Sequence, residues 1–397
     1  MTQKFSRLRR RPCNRTATYF SKVVNIAVSD KAREKSPALR LVKYAASSGA
    51  WSPEVWAAWD DYVRRHPAGT FCHLSGWSRV VERTFHHRPV HLYLEREGRM
   101  AGVLPLFHVS SRLFGSMLVS SPNAVYGGAL ADDEPARRLL LEEAKKLAVE
   151  LQVNYLELRD HRVPVSMDGA RLEDGAEFRA KELYVSFEHP ITTDEEALMK
   201  TFPRDVRTMI RKGIKNGLSG ERGRAEMLDD FYDVYALSLR NLGTPVFPKK
   251  LFAEFLREFP NDSDILLIRQ HGRVAGAVLS FYFRGYVMPY YAGAYAEFYR
   301  AGINNLMYWE LMRSAAARGY LNFDFGRSKL GTGAFEFKRG WGMQMRPLPY
   351  RFFLVRSQEM PNLNPTNPKF ELMIRIWKKL PLGVTRLLGP MIVRNLP

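Results

Sequence analysis

Residues 323 to 342 read FDFGRSKLGTGAFEFKRGWG, which sets Asp324, Arg327, Lys329 and Lys338 among glycines at 326, 331, 333, 340 and 342. Glycine lets main chain approach a ligand closely, and Lys or Arg beside it would meet an anion there. Asp324 has two readings: proton acceptor, or anchor of the loop through backbone N–H groups. Tyr290 and Tyr291, in MPYYAGAYA, carry the same pair of readings, proton acceptor or structural aromatic. A second cationic group lies in RDVRTMIRKGIKNGL, residues 204 to 218. Helical spacing puts Val206, Met209, Ile210 and Ile214 on one face and Arg204, Arg211 and Lys215 nearly opposite, with Arg207 at the edge. No acid lies between 206 and 220, so like charges one turn apart repel without compensation. A phosphate-bearing partner would relieve that repulsion, and a solvated basic face is the alternative.

No nucleophile constellation is visible: Cys13 and Cys72 fall outside these motifs, and no serine sits in a Gly-x-Ser-x-Gly elbow. Direct attack of an amine on an acyl ester needs alignment, a proton acceptor and a stabilised oxyanion rather than a covalent intermediate. The segment RAGINN offers Arg300, Gly302, Asn304 and Asn305 at the start of a helix, a partial and displaced version of a pyrophosphate-cradling loop. The corresponding DDEPARR at 132 to 138 is acidic and has no such loop. His73, His86, His87 and His91 cluster in sequence but match no zinc spacing, and HHR before a strand reads as an exposed turn.

These residues sit on a repeated set of elements. HLYLEREGRMAGVL at 91 to 104 and ILLIRQHGRVAGAV at 265 to 278 align at an offset of 174, with Gly98 on Gly272, Arg99 on Arg273 and Gly102 on Gly276. Each reads as a strand, a tight turn at glycine and a second strand. Before them, Trp77, Val81 and Phe85 match Leu251, Phe255 and Phe259 as apolar helical stripes at the same offset. After them come VYGGALA and MPYYAGAYA, then helices over 136 to 152 and 303 to 318, then strands YLELRD and LNFDFG. Helix, hairpin, strand, helix, strand written twice predicts an α/β chain of two duplicated domains with mixed sheets.

A chain of 397 residues, 46% of them hydrophobic, is long enough for two cores. Two cysteines exclude a disulfide framework and a zinc-ribbon site. The formal net charge is +19; the first forty residues hold eleven Lys or Arg against Asp30 and Glu34, or +9 of it. Such charge suits nucleic acid, acidic glycans and anionic lipid alike. On this cysteine usage the chain reads as cytosolic, and no run of eighteen apolar residues exists. The end, FELMIRIWKKLPLGVTRLLGPMIVRNLP, places Phe370, Met373, Ile374 and Trp377 at helical spacing among cations, with Pro381 and Pro390 cutting it into short pieces. Peripheral contact with an anionic membrane and packing on the second domain are the two expectations for it.

The order of elements is that of the GNAT fold, and a tandem pair resembles the Fem-type (FemAB-like) transferase family, whose members attach amino acids from aminoacyl-tRNA to peptidoglycan precursors. FDFG with FKRGWG looks like that family's closing signature, RDVRTMIRKGIKNGL like its basic helix, and TFCHLSGWSRVVE at 70 to 82 like its N-terminal entry. HHRPVHLYL, SRLFGSMLVSSPNAVYGGAL, NLGTPVFPKKLF and NNLMYWELMRSAAARGYLNFDFGRS look more narrowly like FemAB-like proteins of PEP-CTERM/exosortase exopolysaccharide systems, over about residues 39 to 357. The resemblance implies two tandem GNAT domains, over 39–185 and 186–357, between a basic tail (1–38) and a C-terminal amphipathic segment (358–397). It implies an acyltransferase that forms an amide on an amino group of a nucleotide- or lipid-linked cell-envelope or exopolysaccharide precursor. Lys338 would contact the precursor's diphosphate, helped by Arg327, Lys329 and the basic helix. No tightly bound cofactor is expected; the donor is aminoacyl-tRNA or acyl-CoA as co-substrate, which makes tRNA a candidate partner. The departure at RAGINN lowers the expectation of acetyl-CoA. The rival readings are a CoA- or carrier-protein-dependent N-acyltransferase acting on an amino sugar, and a non-catalytic polysaccharide- or membrane-binding scaffold.

Overall fold

A computed structural model describes residues 24–25, 38–43, 51–111, 114–160, 177–361 and 368–395. Most of the expected basic tail over 1–38, Cys13 included, lies outside the described residues. The first repeat follows strands β1 (Val24–Asn25) and β2 (Leu39–Lys43). It runs through helices α1 (Pro53–Arg65) and α2 (Ser75–Phe85), strands β3 (Arg88–Pro89), β4 (Leu92–Arg96), β5 (Arg99–Leu104), β6 (Leu106–Ser111), β7 (Gly115–Ser120) and β8 (Leu130–Ala131), helix α3 (Glu134–Glu150), and strands β9 (Tyr155–Leu158) and β10 (Phe178–Pro190). The second runs α4 (Glu195–Lys200), α5 (Arg204–Lys215), β11 (Leu218–Gly223), α6 (Leu228–Leu242), α7 (Lys249–Glu258), β12 (Ser263–Gln270), β13 (Arg273–Phe283), β14 (Tyr286–Ala294), α8 (Ile303–Ala316), β15 (Asn322–Asp324), β16 (Ser328–Lys329), α9 (Gly333–Arg339) and β17 (Gln344–Leu354). Helices α10 (Pro368–Lys379) and α11 (Leu382–Val393) follow.

The duplication is present element by element, α2 with α7, the β4–β5 hairpin with β12–β13, β7 with β14, α3 with α8, and β9 with β15, but the counterpart of MPYYAGAYA is β7 and not VYGGALA, which forms a strand only at Leu130–Ala131. Both hairpins turn at a glycine in the left-handed region, Gly98 at φ 73° and Gly272 at φ 79°, where a side chain would be strained. In each repeat the strand before the long helix pairs in parallel with the strand after it: Met117–Val119 with Tyr155–Glu157, and Tyr286–Val287 with Asn322–Phe323. The copies differ after the hairpin. Pro105 ends β5, so β5 stays in a five-stranded sheet (order β1-β2-β4-β5-β8) while β6 enters the large one. In the second repeat one strand, β13, continues through, and its partner β14 takes up a bulge opposite Leu279 and Ser280.

The large sheet runs β11-β12-β13-β14-β15-β10-β17-β9-β7-β6-β3, with β16 on β10. The last strand of each repeat therefore completes the sheet of the other: β10 pairs with β15, and β17 with β9. Strands β10 and β17 then pair with each other, antiparallel from Phe178↔Phe353 to Glu188↔Gln344. Strand β10 runs across the 185/186 boundary read from the sequence, so neither half closes its sheet with its own chain alone. Buried Arg351 of β17 donates to the Asp160 carboxylate just after β9 at 2.7 Å, and the two side chains are 1% and 4% exposed.

Three local readings are corrected. Helix α5 buries Val206, Ile210 and Gly213, while Ile214 is 53% exposed. The inward stripe follows the close approach of Gly213 to Leu306 of α8, where a Cβ would come within 2.9 Å. The His86–Arg88 turn is not an exposed one throughout, because His87 is buried against Phe85. At the C-terminus Pro390 does not break α11; it sits in the last turn, where a missing N–H leaves one helical carbonyl without its partner.

Breaking the pair that ties the repeats together should be costly, because a lone buried charge is left behind. Arg351→Ala is expected to lower unfolding free energy by about 3–5 kcal/mol. Urea unfolding followed by tryptophan fluorescence and by far-ultraviolet circular dichroism checks this. Coincident transitions at lower urea are the expected result, since each half depends on the other's strand.

Candidate functional site

Strand β14 carries a bulge: Leu279 faces Tyr291 and Ser280 faces Pro289, so Tyr290 has no counterpart on β13. A bulge bends its strand, and the parallel ladder between β14 and β15 ends after Val287–Phe323. Beyond that point lies a cavity of about 220 Å³, lined by Pro289, Tyr290, Ala292, Tyr308, Phe325, Gly326, Arg327, Lys338 and, from the first repeat, Val125. The matching place in the first repeat is closed by its own chain. There the Gly127 N–H donates to the Arg159 carbonyl, the Arg159 guanidinium donates to the Ala124 carbonyl, and Gly127 bridges Asp160 in parallel.

One wall is the segment that ends β15. Asp324, 2% exposed, accepts from the Tyr126 hydroxyl at 2.6 Å and from the Gly326 N–H at 2.7 Å. Burial pushes its pKa up to about 6, against the lowering effect of those two hydrogen bonds. Asp324 and Tyr126 also border a second, smaller cavity of about 100 Å³, lined further by Thr70, Phe71, Arg284, Tyr286 and Met288. The Asp324–Gly326 segment and the Val125–Tyr126 segment thus stand between two hollows. Tyr126 can reach Asp324 because Gly127 and Gly128 follow it: Gly128 has φ 88°, and a Cβ there would come within 2.5 Å of an Asp160 oxygen.

Lys338, on α9, turns its ammonium back onto the loop. It donates to the carbonyls of Phe325 at 2.6 Å and Arg327 at 3.3 Å and lies 5.5 Å from the Phe325 ring centre. Burial pulls its pKa down to about 8, with Asp324 acting in the opposite sense and Arg327 adding to the fall. The Thr332 hydroxyl caps α9 by accepting from the Phe335 N–H, which fixes where Lys338 emerges. Arg327 donates to the Tyr350 hydroxyl at 3.1 Å and lies over the rings of Tyr184 and Tyr350.

The sequence-derived residues divide. Asp324, Tyr290, Lys338 and Arg327 come together around the two hollows. The Tyr290 ring lines the larger one, but its hydroxyl is engaged, accepting from the Val125 N–H at 2.8 Å. Tyr291 points the other way, into a cluster with Tyr235, Phe247 and Phe252, where its hydroxyl is buried with no hydrogen-bond partner among the described residues. Lys329 is carried on β16 opposite Tyr184, outside the cavity lining. Arg204, Arg211 and Lys215 are exposed on α5, and among the described residues no acid pairs with them or with half-buried Arg207. Helix α5 lies over the start of α8: a Cβ on Gly302 would come within 2.5 Å of the Met209 carbonyl oxygen, and Asn216 donates to the Ala301 carbonyl. Arg300 is exposed there, while Asn304 and Asn305 are half-buried in the first turn.

Tyr126 and Tyr308 were missed as site residues. Tyr126 stands in VYGGALA, where a tyrosine before paired glycines was the only signal; Tyr308 reads as one more apolar position of a helix. Three of the four clustered histidines, His73, His87 and His91, are core groups and His86 is exposed; His91 sits between the Ser78 hydroxyl at 2.7 Å and the Leu106 N–H at 3.1 Å, and burial pulls its pKa down to about 3. Among the described residues no His, Cys, Asp and Glu side chains converge in a group of three or more that could hold a metal ion.

A titration tests this arrangement directly. Carbon-13 NMR of the Asp324 carboxyl should show a midpoint near 6, since burial penalises the charged form. In Tyr126→Phe the midpoint should move higher, because the lost hydrogen bond favoured the ionised carboxylate. An unchanged midpoint would remove Tyr126 from the site.

Residues 204–339, from the start of α5 to the end of α9, match the family model described as acetyltransferase (GNAT) domain. Among solved structures, the chain is similar to that of FemX at 15% identity and a TM-score of 0.61, covering 80% of this chain and 98% of that one. It is also similar to the structure of L-PGS from Bacillus licheniformis, at 12% identity and a TM-score of 0.50 over 83% and 98% of the two chains. A conserved protein of unknown function from Bacteroides thetaiotaomicron aligns at 9% identity and a TM-score of 0.51, over 77% and 98%. Among curated proteins, none matches the sequence significantly. The chain is an α/β protein of two GNAT-type units with mixed sheets, its second unit carrying the GNAT acetyltransferase domain, and its enzyme class is acyltransferase.

Proposed function

We propose that this chain transfers an acyl or aminoacyl group onto an amine of a cell-envelope or exopolysaccharide precursor and so forms an amide. The observation that carries the reading is the parting of β14 from β15 at the Tyr290 bulge, which opens a cavity bounded by the Lys338 ammonium beside a buried carboxylate. In this reading the acyl group occupies the larger cavity and the amine approaches along the Asp324 side. The amine nitrogen forms the new bond to the acyl carbon and gives a proton to Asp324. The Lys338 ammonium stabilises the oxyanion; as it collapses, the bond from the acyl carbon to the leaving oxygen or sulfur breaks, and the leaving atom takes the proton held by Asp324, which restores the carboxylate. An ammonium acts there without a fixed direction, and exclusion of water strengthens its effect.

The donor is read from the neighbourhood of α8. In a CoA-type site, N–H groups at a helix start cradle a pyrophosphate; here α5 lies against Gly302 and carries exposed Arg204, Arg211 and Lys215. That basic face favours a large phosphate-bearing donor such as charged tRNA. The match to an acetyltransferase domain favours the second reading, an acyl-CoA-dependent N-acyltransferase acting on an amino sugar. A diphosphate in the acceptor would lie near Arg327 and Lys338 in either case.

Thermal shift with acetyl-CoA, free CoA and bulk aminoacylated tRNA separates the donors, because only a ligand of the folded state raises the melting temperature. A rise with charged tRNA that Arg204→Glu with Arg211→Glu abolishes, and no rise with either CoA species, is the expected result. A rise with acetyl-CoA alone supports the second reading. Protein that responds to none, and produces no amide, is a scaffold.

The pH profile should be bell-shaped. Asp324 must be ionised to take a proton, so kcat/KM rises as pH passes about 6; Lys338 must be charged, so it falls as pH passes about 8. Asp324→Asn should lose roughly 10²–10⁴-fold in kcat/KM, the usual worth of a positioned base. Lys338→Arg should move the descending limb upward, because arginine keeps its charge.

A further inference from the structure

The two C-terminal helices show a surface that the transfer chemistry does not use. Helix α11 is seated firmly on the second repeat: Thr385, Gly389 and Val393 face inward, and a Cβ on Gly389 would come within 2.7 Å of the Val246 carbonyl oxygen. Arg386 holds it from the side, donating to Asp233 of α6 at 2.6 Å and lying over the Tyr232 ring. Helix α10 turns Trp377 inward and rests Ile374 on Gly243. With these faces fixed, the outward ones are apolar. Leu372, Met373 and Ile376 on α10 are 64%, 60% and 53% exposed, and Leu387 and Met391 on α11 are 70% and 63% exposed.

Leu372, Met373 and Ile376 share one face of α10, and Leu387 and Met391 one face of α11; exposed apolar stripes of this kind mark a contact surface. The charge beside it says what kind. From Glu371 to Arg394 the segment has five cations, Arg375, Lys378, Lys379, Arg386 and Arg394, against one acid. Arg375 is spent on Glu371 and Arg386 on Asp233. Lys379 and Arg394 stand one turn beyond the apolar stripes of their helices, at i+3 from Ile376 and from Met391, so each stripe ends in a cation. Apolar side chains flanked by long cations that can extend upward match a lipid headgroup plane: the stripe enters the acyl boundary and the cations stay with phosphate. A protein partner for so apolar a stripe would not call for a cation at the end of each helix. Among the described residues no helix is long and apolar enough to cross a bilayer, so the contact would be peripheral.

We infer that the outward face of α10 and α11 docks this protein on an anionic membrane surface. The inference stands apart from the assignment of the transfer reaction, since none of its residues lines either cavity. Full-length protein is sedimented with vesicles of phosphatidylcholine alone and with vesicles containing phosphatidylglycerol, at low and at physiological salt. Binding to the anionic vesicles only, weakened by salt, is the expected result. Leu387→Ser with Met391→Ser should reduce binding at least tenfold with the melting temperature preserved, because both side chains are already exposed. Lys379→Glu with Arg394→Glu should remove the preference for anionic lipid. Binding that survives the serine substitutions overturns the inference, as does absence of sedimentation. In the latter case light scattering that shows a dimer, dissociated by the same serines, assigns the face to a second copy of the chain. The thermal-shift response to acyl donors is unaffected by either pair of substitutions, so failure here leaves the catalytic reading standing.

Discussion

The antiparallel pairing of β10 with β17 is the contact on which the rest of the molecule depends. Each strand closes the sheet of the repeat to which it does not belong, so the central ladder joins two half-sheets that would otherwise end in open edges. An open edge presents unpaired N–H and C=O groups and invites association. Exchange of the final strands removes both edges at once and fuses the two cores along one sheet. The buried Arg351–Asp160 pair lies beside this seam and is tolerable only because each charge has the other.

That seam also explains why the site draws on both repeats. With β10 inserted next to β15, the loop that leaves β15 is pressed toward the first repeat's 121–128 segment, and Tyr126 meets Asp324 across it. Duplication made two gaps between parallel strands, and the chain treats them differently. In the first repeat Gly127, Arg159 and Asp160 knit the gap shut, so it contributes a wall; in the second the Tyr290 bulge keeps it open, so it contributes the cavity. Pseudo-symmetry was kept in the scaffold and given up at the place where chemistry is done.

The electrostatics of the cavity follow from burial rather than from the number of charges. A +19 chain has many cations, but Lys338 is set apart because desolvation brings its pKa toward neutrality while main-chain carbonyls hold its direction. Asp324 is displaced the opposite way, upward, by the same cause. A carboxylic acid and an ammonium whose titrations are both drawn toward pH 7 form a pair suited to moving one proton and holding one negative charge.

Periodicity and repetition were enough to determine the elements that recur in both halves. The 174-residue offset, the paired glycine turns and the boundaries of α5 were legible because helical spacing, strand runs and turn residues are local properties. The FDFG…FKRGWG stretch was legible as a site for a similar reason: Asp, Lys and glycines within twenty residues must stay near each other. What the sequence could not show is anything that depends on two distant segments meeting. The exchange of β10 and β17 is decided by edge pairing between halves, and nothing within either strand marks its partner. Tyr126 and Asp324 are separated by nearly half the chain, and Tyr291, next to Tyr290 on β14, faces the opposite side of the strand into an aromatic cluster. Ile214 and His87 were misread for the same reason: burial is a property of what lies opposite, and only the tertiary structure puts Leu306 against Gly213 and Phe85 against His87. The sequence by itself determined the repeated helices and hairpins and most of the residues that could do chemistry; the packing of one repeat against the other decided which of those residues share a cavity and added Tyr126 to them.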